Sequence, residues 1–272
     1  VWRQSDAWRF RANLQRAFRR PTLNELYRPF RVGPNVTEAN PELRTERVNS
    51  GELGVEWTLR GMPVQPPDSN LVSPPLRRPV LTLGAVAFWN DLRDAVGNVT
   101  IAHGPGIFPI VGFVAAGGVG RQRLNLERSR VQGLELSARW RPARGAALTA
   151  DYLYNDATVR RSTLAPGLEG NRLAQVARQS AALGAALEWA GFILTPRVRW
   201  IGRQFEDDEN ELVLGEVVVG DIGITRGLGP HMEIFLNVEN LGDARIETGR
   251  TAVGLVNVGT PRLAMLGVRA SW

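Results

Sequence analysis

The chain has 272 residues, 43% of them hydrophobic, and a formal charge of +6, with a mean hydropathy of −0.16 and a pI of about 10.9. It has no run of about 18 uninterrupted apolar residues, which excludes a helical membrane bundle; the longest apolar stretch, residues 107–119, is broken by Pro109 and a glycine pair. Cysteine is absent, which excludes disulfides and thiol chemistry. Every basic side chain apart from two histidines is arginine. These arginines are spread singly through the sequence, with no basic helix or patch, and that argues against nucleic acid.

In chain order, period-2 alternation recurs with little helical signal. Trp8, Phe10, Ala12 and Leu14 alternate with Arg9, Arg11, Asn13 and Gln15. Leu53, Val55, Trp57 and Leu59 oppose Glu52, Gly54, Glu56 and Thr58. Leu81, Leu83, Ala85, Ala87 and Trp89 form a more apolar strand. Leu134, Leu136, Ala138 and Trp140 follow, then Leu148, Ala150, Tyr152 and Tyr154, then Ala181, Leu183, Ala185, Leu187 and Trp189. Leu194, Val198 and Trp200 oppose Thr195, Arg197 and Arg199, and further strands centre on residues 218–224 and 232–238. The last segment sets Leu266, Val268, Ala270 and Trp272 against Gly267, Arg269 and Ser271.

The sum is about ten strands, many near the roughly 9–11 residues that a tilted strand needs to cross a bilayer. Their apolar faces often end on Trp57, Trp89, Trp140, Tyr154, Trp189, Trp200 or Trp272, as in the aromatic girdle of a membrane barrel. Links alternate in length. Residues 141–146, 190–192 and 227–231 read as tight turns, and 19–45, 91–120, 159–173, 204–214 and 241–260 as long loops. Short periplasmic turns and long extracellular loops are the asymmetry expected of an outer-membrane barrel. Residues 61–78 break the rule, being long and Pro-rich on the short-turn side, and are read as a periplasmic insertion. The chain opens inside an alternating element with no signal peptide before Val1, so it is expected to be a piece of a longer protein.

Ordered motifs narrow this further. FRRPTLNELY at 18–27, NPELRTE at 40–46, GELGVEW at 51–57, RSRVQGLELSARWRP at 128–142, NVENLGDAR at 237–245 and the closing LGVRASW resemble the TonB-dependent outer-membrane receptors, in family order. The residues carrying the likeness are Pro21, Glu25, Leu26, Tyr27, Asn40, Pro41, Gly133, Glu135, Asn240 and Leu241. Gly267 and Trp272 stand where the family's assembly signal lies, although the family usually ends in Phe, and Ala270 and Met265 also depart from its pattern. The resemblance implies an all-β, antiparallel transmembrane barrel of about 22 strands occluded by an N-terminal plug. Residues 1–272 then form the C-terminal portion of that barrel, and the plug, the TonB box and the first strands lie outside this chain. It implies an outer-membrane receptor of a Gram-negative bacterium that takes up a scarce ligand (an iron–siderophore, cobalamin or a glycan) with energy from the TonB–ExbB–ExbD complex. That complex acts through the missing N-terminal part. Further implied partners are the outer-membrane assembly machinery, lipopolysaccharide and an unknown small ligand, with no nucleic acid. Competing readings are a plug-less diffusion porin and a soluble all-β binding module.

The individual residues have physical readings. Pro21 fixes φ where the strand stops, and Asn40-Pro41 starts a turn into the next strand. Gly133 in a strand interior marks a bulge or a close approach of another backbone. Glu135 and Arg139 share the inward face, as do Arg197 and Arg199, and are positioned to pair or to meet lumen water. No catalytic, metal or cofactor-binding residue is expected: His103 and His231 lie in separate links without metal-ligand spacing. The acidic run EDDENE at 206–211 suits a divalent cation, directly or as a bridge to lipopolysaccharide phosphate, or simply a solvated loop. Ligand-binding residues are expected in the long loops and none is singled out.

Overall fold

The computed structural model describes residues 1–61 and 79–271. The expected insertion from residue 62 onward, and Trp272, lie outside the described residues. Ten long strands form one antiparallel sheet in chain order: β1 (Trp8–Arg19), β2 (Glu46–Arg60), β3 (Pro79–His103), β4 (Val119–Ala143), β5 (Ala146–Arg161), β6 (Gln179–Trp189), β7 (Phe192–Ile201), β8 (Val217–Gly227), β9 (Met232–Glu239) and β10 (Leu263–Ala270). The segment Trp2–Arg3 pairs with the outer edge of β1. Among the described residues the sheet is not closed, and β10 pairs with β9 alone.

Register carries the alternation from strand to strand. One apolar row runs Trp8, Trp57, Leu83, Ala138, Ala150, Leu183 and Val198. The next row, Arg9, Glu56, Gly84, Ser137, Asp151, Ala182 and Arg199, is polar or small. A slip of one residue would exchange the two faces along a whole strand. The apolar face is not a covered core: Leu53, Leu183 and Leu266 are 67%, 59% and 71% exposed. Leaving a leucine in water costs about 1.5–3 kcal/mol relative to burial, so this face requires an apolar solvent.

Tight turns join β4 to β5, β6 to β7 and β8 to β9 at one end of the sheet. Ala190 and Gly191 both take positive φ, 49° and 79°, which matches the twist of a two-residue hairpin. Aromatic rings mark both ends of the apolar face, with Trp8, Trp57, Trp140 and Trp189 toward the tight turns and Phe18, Trp89, Tyr154 and Trp200 toward the long links. Much of the expected loop 91–120 is strand instead. β3 and β4 are 25 residues each, and their pairing continues from Arg93↔Arg128 to His103↔Val119. They stand well beyond what a bilayer requires, because their polar and apolar side chains pack against the links there.

Glycines on the polar face make room for neighbours. A Cβ on Gly267 would overlap the Phe235 ring on β9, and one on Gly133 would overlap both the Phe88 ring and the Tyr154 carbonyl oxygen. Gly133 itself is regularly paired, between Phe88 and Asn155, with no bulge. A ring can turn aside, whereas a laddered backbone cannot. In the full-length protein Gly133→Ala is therefore expected to lower the heat-modifiable folded fraction more than Gly267→Ala. Adding Phe235→Ala to Gly267→Ala should recover part of that loss but do nothing for Gly133→Ala. Equal losses at both glycines would refute the distinction.

Candidate functional site

The long links and the extensions of β3 and β4 form the chemically rich end of the molecule. Its two small cores both involve these extensions: Val36, Ala102, Val111 and Val114 with Phe108, and Val99, Leu126, Val159 and Leu168 with Leu124 and Leu173. Three polar devices hold the links down.

The first is a strap after β1. Pro21 ends the strand and Thr22 caps a short helix, α1 (Leu23–Tyr27), by a capping box with Glu25. Arg19 donates to both Glu25 oxygens at 2.9 and 3.0 Å and also to Glu46. Its hydrogen bonds, with those from the Thr22 backbone and hydroxyl, hold the Glu25 carboxyl down at about 2 against the opposing effect of burial. Asn40 donates from its backbone to the Glu25 carbonyl (3.1 Å) and from its side chain to the Arg123 carbonyl (3.0 Å). The buried Arg123 guanidinium donates to the carbonyl of Asn24 in α1 (2.5 Å) and to that of the C-cap residue Arg28 (3.0 Å), holding the helix and its exit to β4. Asn125 bonds the Arg44 backbone in both directions, at 2.8 and 3.1 Å. The motif residues Pro21, Glu25, Leu26, Asn40 and Pro41 thus gather in one strap on β4, with Tyr27 exposed.

The second device is the acidic turn. Asp207 is buried and accepts from the backbones of Glu211 and Leu212 at 3.1 and 2.8 Å. Asp208 accepts from the Thr100 backbone and hydroxyl at 2.8 and 2.7 Å. Glu209 meets His103 at 3.1 Å, Glu206 accepts from Gln175 at 3.0 Å, and Asn210 exchanges bonds with the Arg172 backbone. The run is a clasp between links, not the free acidic loop its composition suggests. No cluster of metal-ligating side chains occurs among the described residues.

The third device is NVENLGDAR. Asn240 is buried at φ 49°. Its side chain bonds Ala244 in both directions (2.8 and 2.9 Å) and donates to the Thr260 carbonyl (3.2 Å), while its backbone N–H donates to Asp221 (2.9 Å). Leu241 donates to the Gly220 carbonyl at 2.7 Å. Asp243 then accepts from Arg262 at 2.9 Å, directing the chain into β10.

What stays free of these devices is apolar. The hairpin Gly106–Phe108 and Gly112–Val114 exposes Ile107, Ile110 and Phe113, and the turn beside it exposes Val253 and Leu255. That turn rests on Gly117, where a Cβ would overlap Val253. Along the polar face below lies a groove of about 600 Å³ lined by Arg9, Glu56, Glu135, Asp151 and Arg199 among others. Arg9 pairs with Glu56 at 3.2 Å and Arg199 with Asp221 at 3.1 Å. Arg197 faces Asp221 in register, and Glu135 lies between Val86 and Leu153. Arg123 and Asn125 carry the architecture of this end and were not singled out in the sequence, whereas Asp208 was read there only as part of the acidic run at 206–211. The signal available for the first two was the alternation continuing through Leu124 and Leu126 within 121–130.

A family model described as TonB dependent receptor-like, beta-barrel, matches residues 1–241. The chain belongs to this family. No curated protein matches it. Among solved structures, this receptor barrel is similar to the copper transporter OprC, with a TM-score of 0.69 at 15% identity, over 98% of this chain and 38% of that one. The siderophore receptor PiuA from Acinetobacter baumannii gives 0.68 at 16% identity, over 99% and 34%. A mutant of the ferric enterobactin receptor PfeA from Pseudomonas aeruginosa, in complex with enterobactin, gives 0.67 at 18% identity, over 100% and 39%. At these identities the likeness is one of fold. The receptor barrel described here spans a little over a third of the length of those structures.

Two expectations follow. Asn240→Ala loses buried hydrogen bonds, including the local ones that let asparagine tolerate a positive φ that alanine disfavours, a cost of about 3 kcal/mol. Asn240→Gly should cost about 1 kcal/mol less; urea unfolding of the full-length protein, followed by tryptophan fluorescence, measures both. For Glu25 the folded carboxyl lies below its ordinary value, so its contribution is complete above the ordinary carboxylate range and disappears as pH falls toward about 2. Hydrogen exchange at the Leu26 and Asn40 amides should show protection falling between about pH 5 and pH 3. Glu25→Gln should lower protection by about 1–2 kcal/mol and flatten that pH dependence.

Proposed function

We propose that the intact protein is an outer-membrane receptor that takes up a scarce ligand (an iron–siderophore, cobalamin or a glycan) with energy from the TonB–ExbB–ExbD complex. The family match over residues 1–241 carries this reading. The geometry supports it in three ways. The exposed apolar face suits lipid, the polar face with its paired charges suits a plug seated in the lumen, and the exposed apolar tips at Ile107, Ile110 and Phe113 suit first contact with a ligand. Plug, TonB box and closing strands are expected in the remainder of the protein, and β10, with Gly267 and the terminal Trp272, is expected to be the strand the assembly machinery reads. Resemblance to a copper transporter and to siderophore receptors favours a metal chelate over a glycan.

The test is uptake by cells producing the full-length protein, with a panel of labelled ferric siderophores, copper chelates, cobalamin and oligosaccharides. Accumulation of one of these is expected, abolished by loss of TonB or by collapse of the proton gradient. Deleting 107–113 should lower that accumulation about tenfold or more while leaving the protein in the outer membrane, as expected when several apolar and polar contacts are lost together. Uptake of small solutes at equal rates with and without TonB would identify a diffusion pore and overturn the proposal.

A further inference from the structure

The extensions of β3 and β4 form a two-stranded arm, paired in one register from Ala95↔Leu126 to Thr100↔Arg121. The ladder then slips by one residue to Ala102↔Gly120. Ile101 is the residue left over, a bulge of the kind that re-aims a strand. The slip chooses which side chain meets Val36 and Val111. As folded, Ala102 is buried there and Ile101 is 38% exposed. An unbroken ladder would set Ile101 opposite Gly120 and turn Ala102 outward. Burying the isoleucine would remove more apolar surface from water than burying the alanine. Hydrophobic burial at this point therefore does not select the bulge.

What the bulge provides is a seat. A Cβ on Gly120 would stand 2.4 Å from a Val111 methyl and 3.2 Å from the Ala102 Cβ. Val111 fills the space that these two small residues leave open. With Val114 it forms the buried inner side of the hairpin Gly106–Phe108 and Gly112–Val114, and Ile107, Ile110 and Phe113 are left on the outer side. An isoleucine in the seat would displace Val111 and turn the tip.

The slip is gripped from both strands of the arm. On β4 the strap runs parallel, from Val36↔Gly120 to Glu38↔Gln122, and Asn35 accepts from the Val119 backbone at 3.1 Å. On β3 the grip is Asp208, whose carboxylate takes both the backbone N–H and the hydroxyl of Thr100, the residue next to the bulge. Such bonds to a charged acceptor are the strong ones. The link that carries Asp208 leaves β7, four strand spacings or about 19 Å from β3. It arrives as a fixed body: Asp207 closes the turn onto Glu211 and Leu212, and Asn171 donates to the Asp208 carbonyl at 3.0 Å. The neighbouring Glu209–His103 pair is partly exposed and contributes little by comparison.

We propose that Asp208 is a positioning residue for ligand capture. By pinning the bulge at Ile101 it fixes the seat of Val111, and so decides which apolar side chains the tip presents. Capture rests on the reading above that Ile107, Ile110 and Phe113 meet the ligand first. The pin itself is independent of what is imported.

The chain has no cysteine, so Ile101→Cys and Ala102→Cys, each introduced singly into the full-length protein, report the two sides of the arm. Intact cells are treated with a maleimide that does not cross the outer membrane. Position 101 should react and position 102 should be protected. Adding Asp208→Ala should raise reactivity at 102 and lower it at 101. Asp208→Asn should keep the original pattern, because its amide can accept from the Thr100 N–H and donate to the hydroxyl. Gains at both positions would mean general loosening, and an unchanged pattern would mean no pin; either overturns the proposal. Heat-modifiable migration checks that each variant is folded. Thr100→Val removes the hydroxyl alone and should move both positions the same way to a smaller extent. It decides the matter if Asp208→Ala does not assemble, and an unchanged pattern there overturns the pin. Uptake of the labelled ferric siderophores, copper chelates, cobalamin and oligosaccharides then tests capture. For a compound that wild type accumulates, Asp208→Ala should raise half-saturation about tenfold at an unchanged maximal rate, the scale of a lost charge-assisted hydrogen bond, and Asp208→Asn should not. Unchanged half-saturation beside an exchanged thiol pattern overturns the role in capture. Accumulation of none of these by wild type refutes the receptor reading, and capture with it, while the thiol pattern still decides the pin.

Discussion

In hydrocarbon a backbone N–H or C=O without a partner costs several kcal/mol, because no water is present to replace the missing bond. The molecule is organised by that constraint. Every strand from β1 to β10 lies in one ladder in chain order, with no crossover to interrupt pairing. Because side chains alternate along a strand, satisfying the backbone in this way delivers two unlike faces without further design. The apolar one, with Leu53, Leu183 and Leu266 exposed, is unstable in water. The polar one carries Arg9–Glu56 and Arg199–Asp221 pairs that would be unstable in lipid. The same constraint leaves the two edges of this sheet in need of partners that the described residues do not provide.

Beyond the bilayer water is available again, and the rules change accordingly. Links may leave the ladder, but each must find its own bonds. Arg123 serves carbonyls at the end of α1, Asn125 holds Arg44, Asp208 holds Thr100, and Asn240 ties β9 to β10. Residues of the motifs that resemble the family's, such as Glu25, Asn40 and Asn240, are therefore fasteners for the links. The exposed apolar side chains of Ile107 and Phe113 carry no such duty, although the Phe113 carbonyl accepts from Arg31 at 2.8 Å. Changes at those side chains leave the fasteners in place.

Arginine as the sole strongly basic residue gains a physical meaning on this background. Its planar fork serves several carbonyls or carboxylates at once, as Arg19 and Arg123 do. It also stacks on rings, as over Trp89, Tyr154 and Phe192. Read along the chain these arginines form no patch. Across the ladder, Arg47, Arg93, Arg128 and Arg130 stand side by side above one aromatic girdle.

The sequence by itself determined the strands, their faces and the solvent. A strand's alternation is a local property, and it is written in consecutive residues such as Trp8–Leu14 or Leu148–Tyr154. The order of short and long links was equally local. Tertiary structure decided what depends on pairing partners. Residues 91–103 read as loop because their polar side chains break the apolar alternation, yet β4 extends them into strand by supplying a ladder. The acidic run at 206–211 read as solvated because composition cannot show that Thr100, His103 and Gln175 stand beside it. The arginine band is invisible in one dimension for the same reason: its members are dozens of residues apart, and only register sets them at one height.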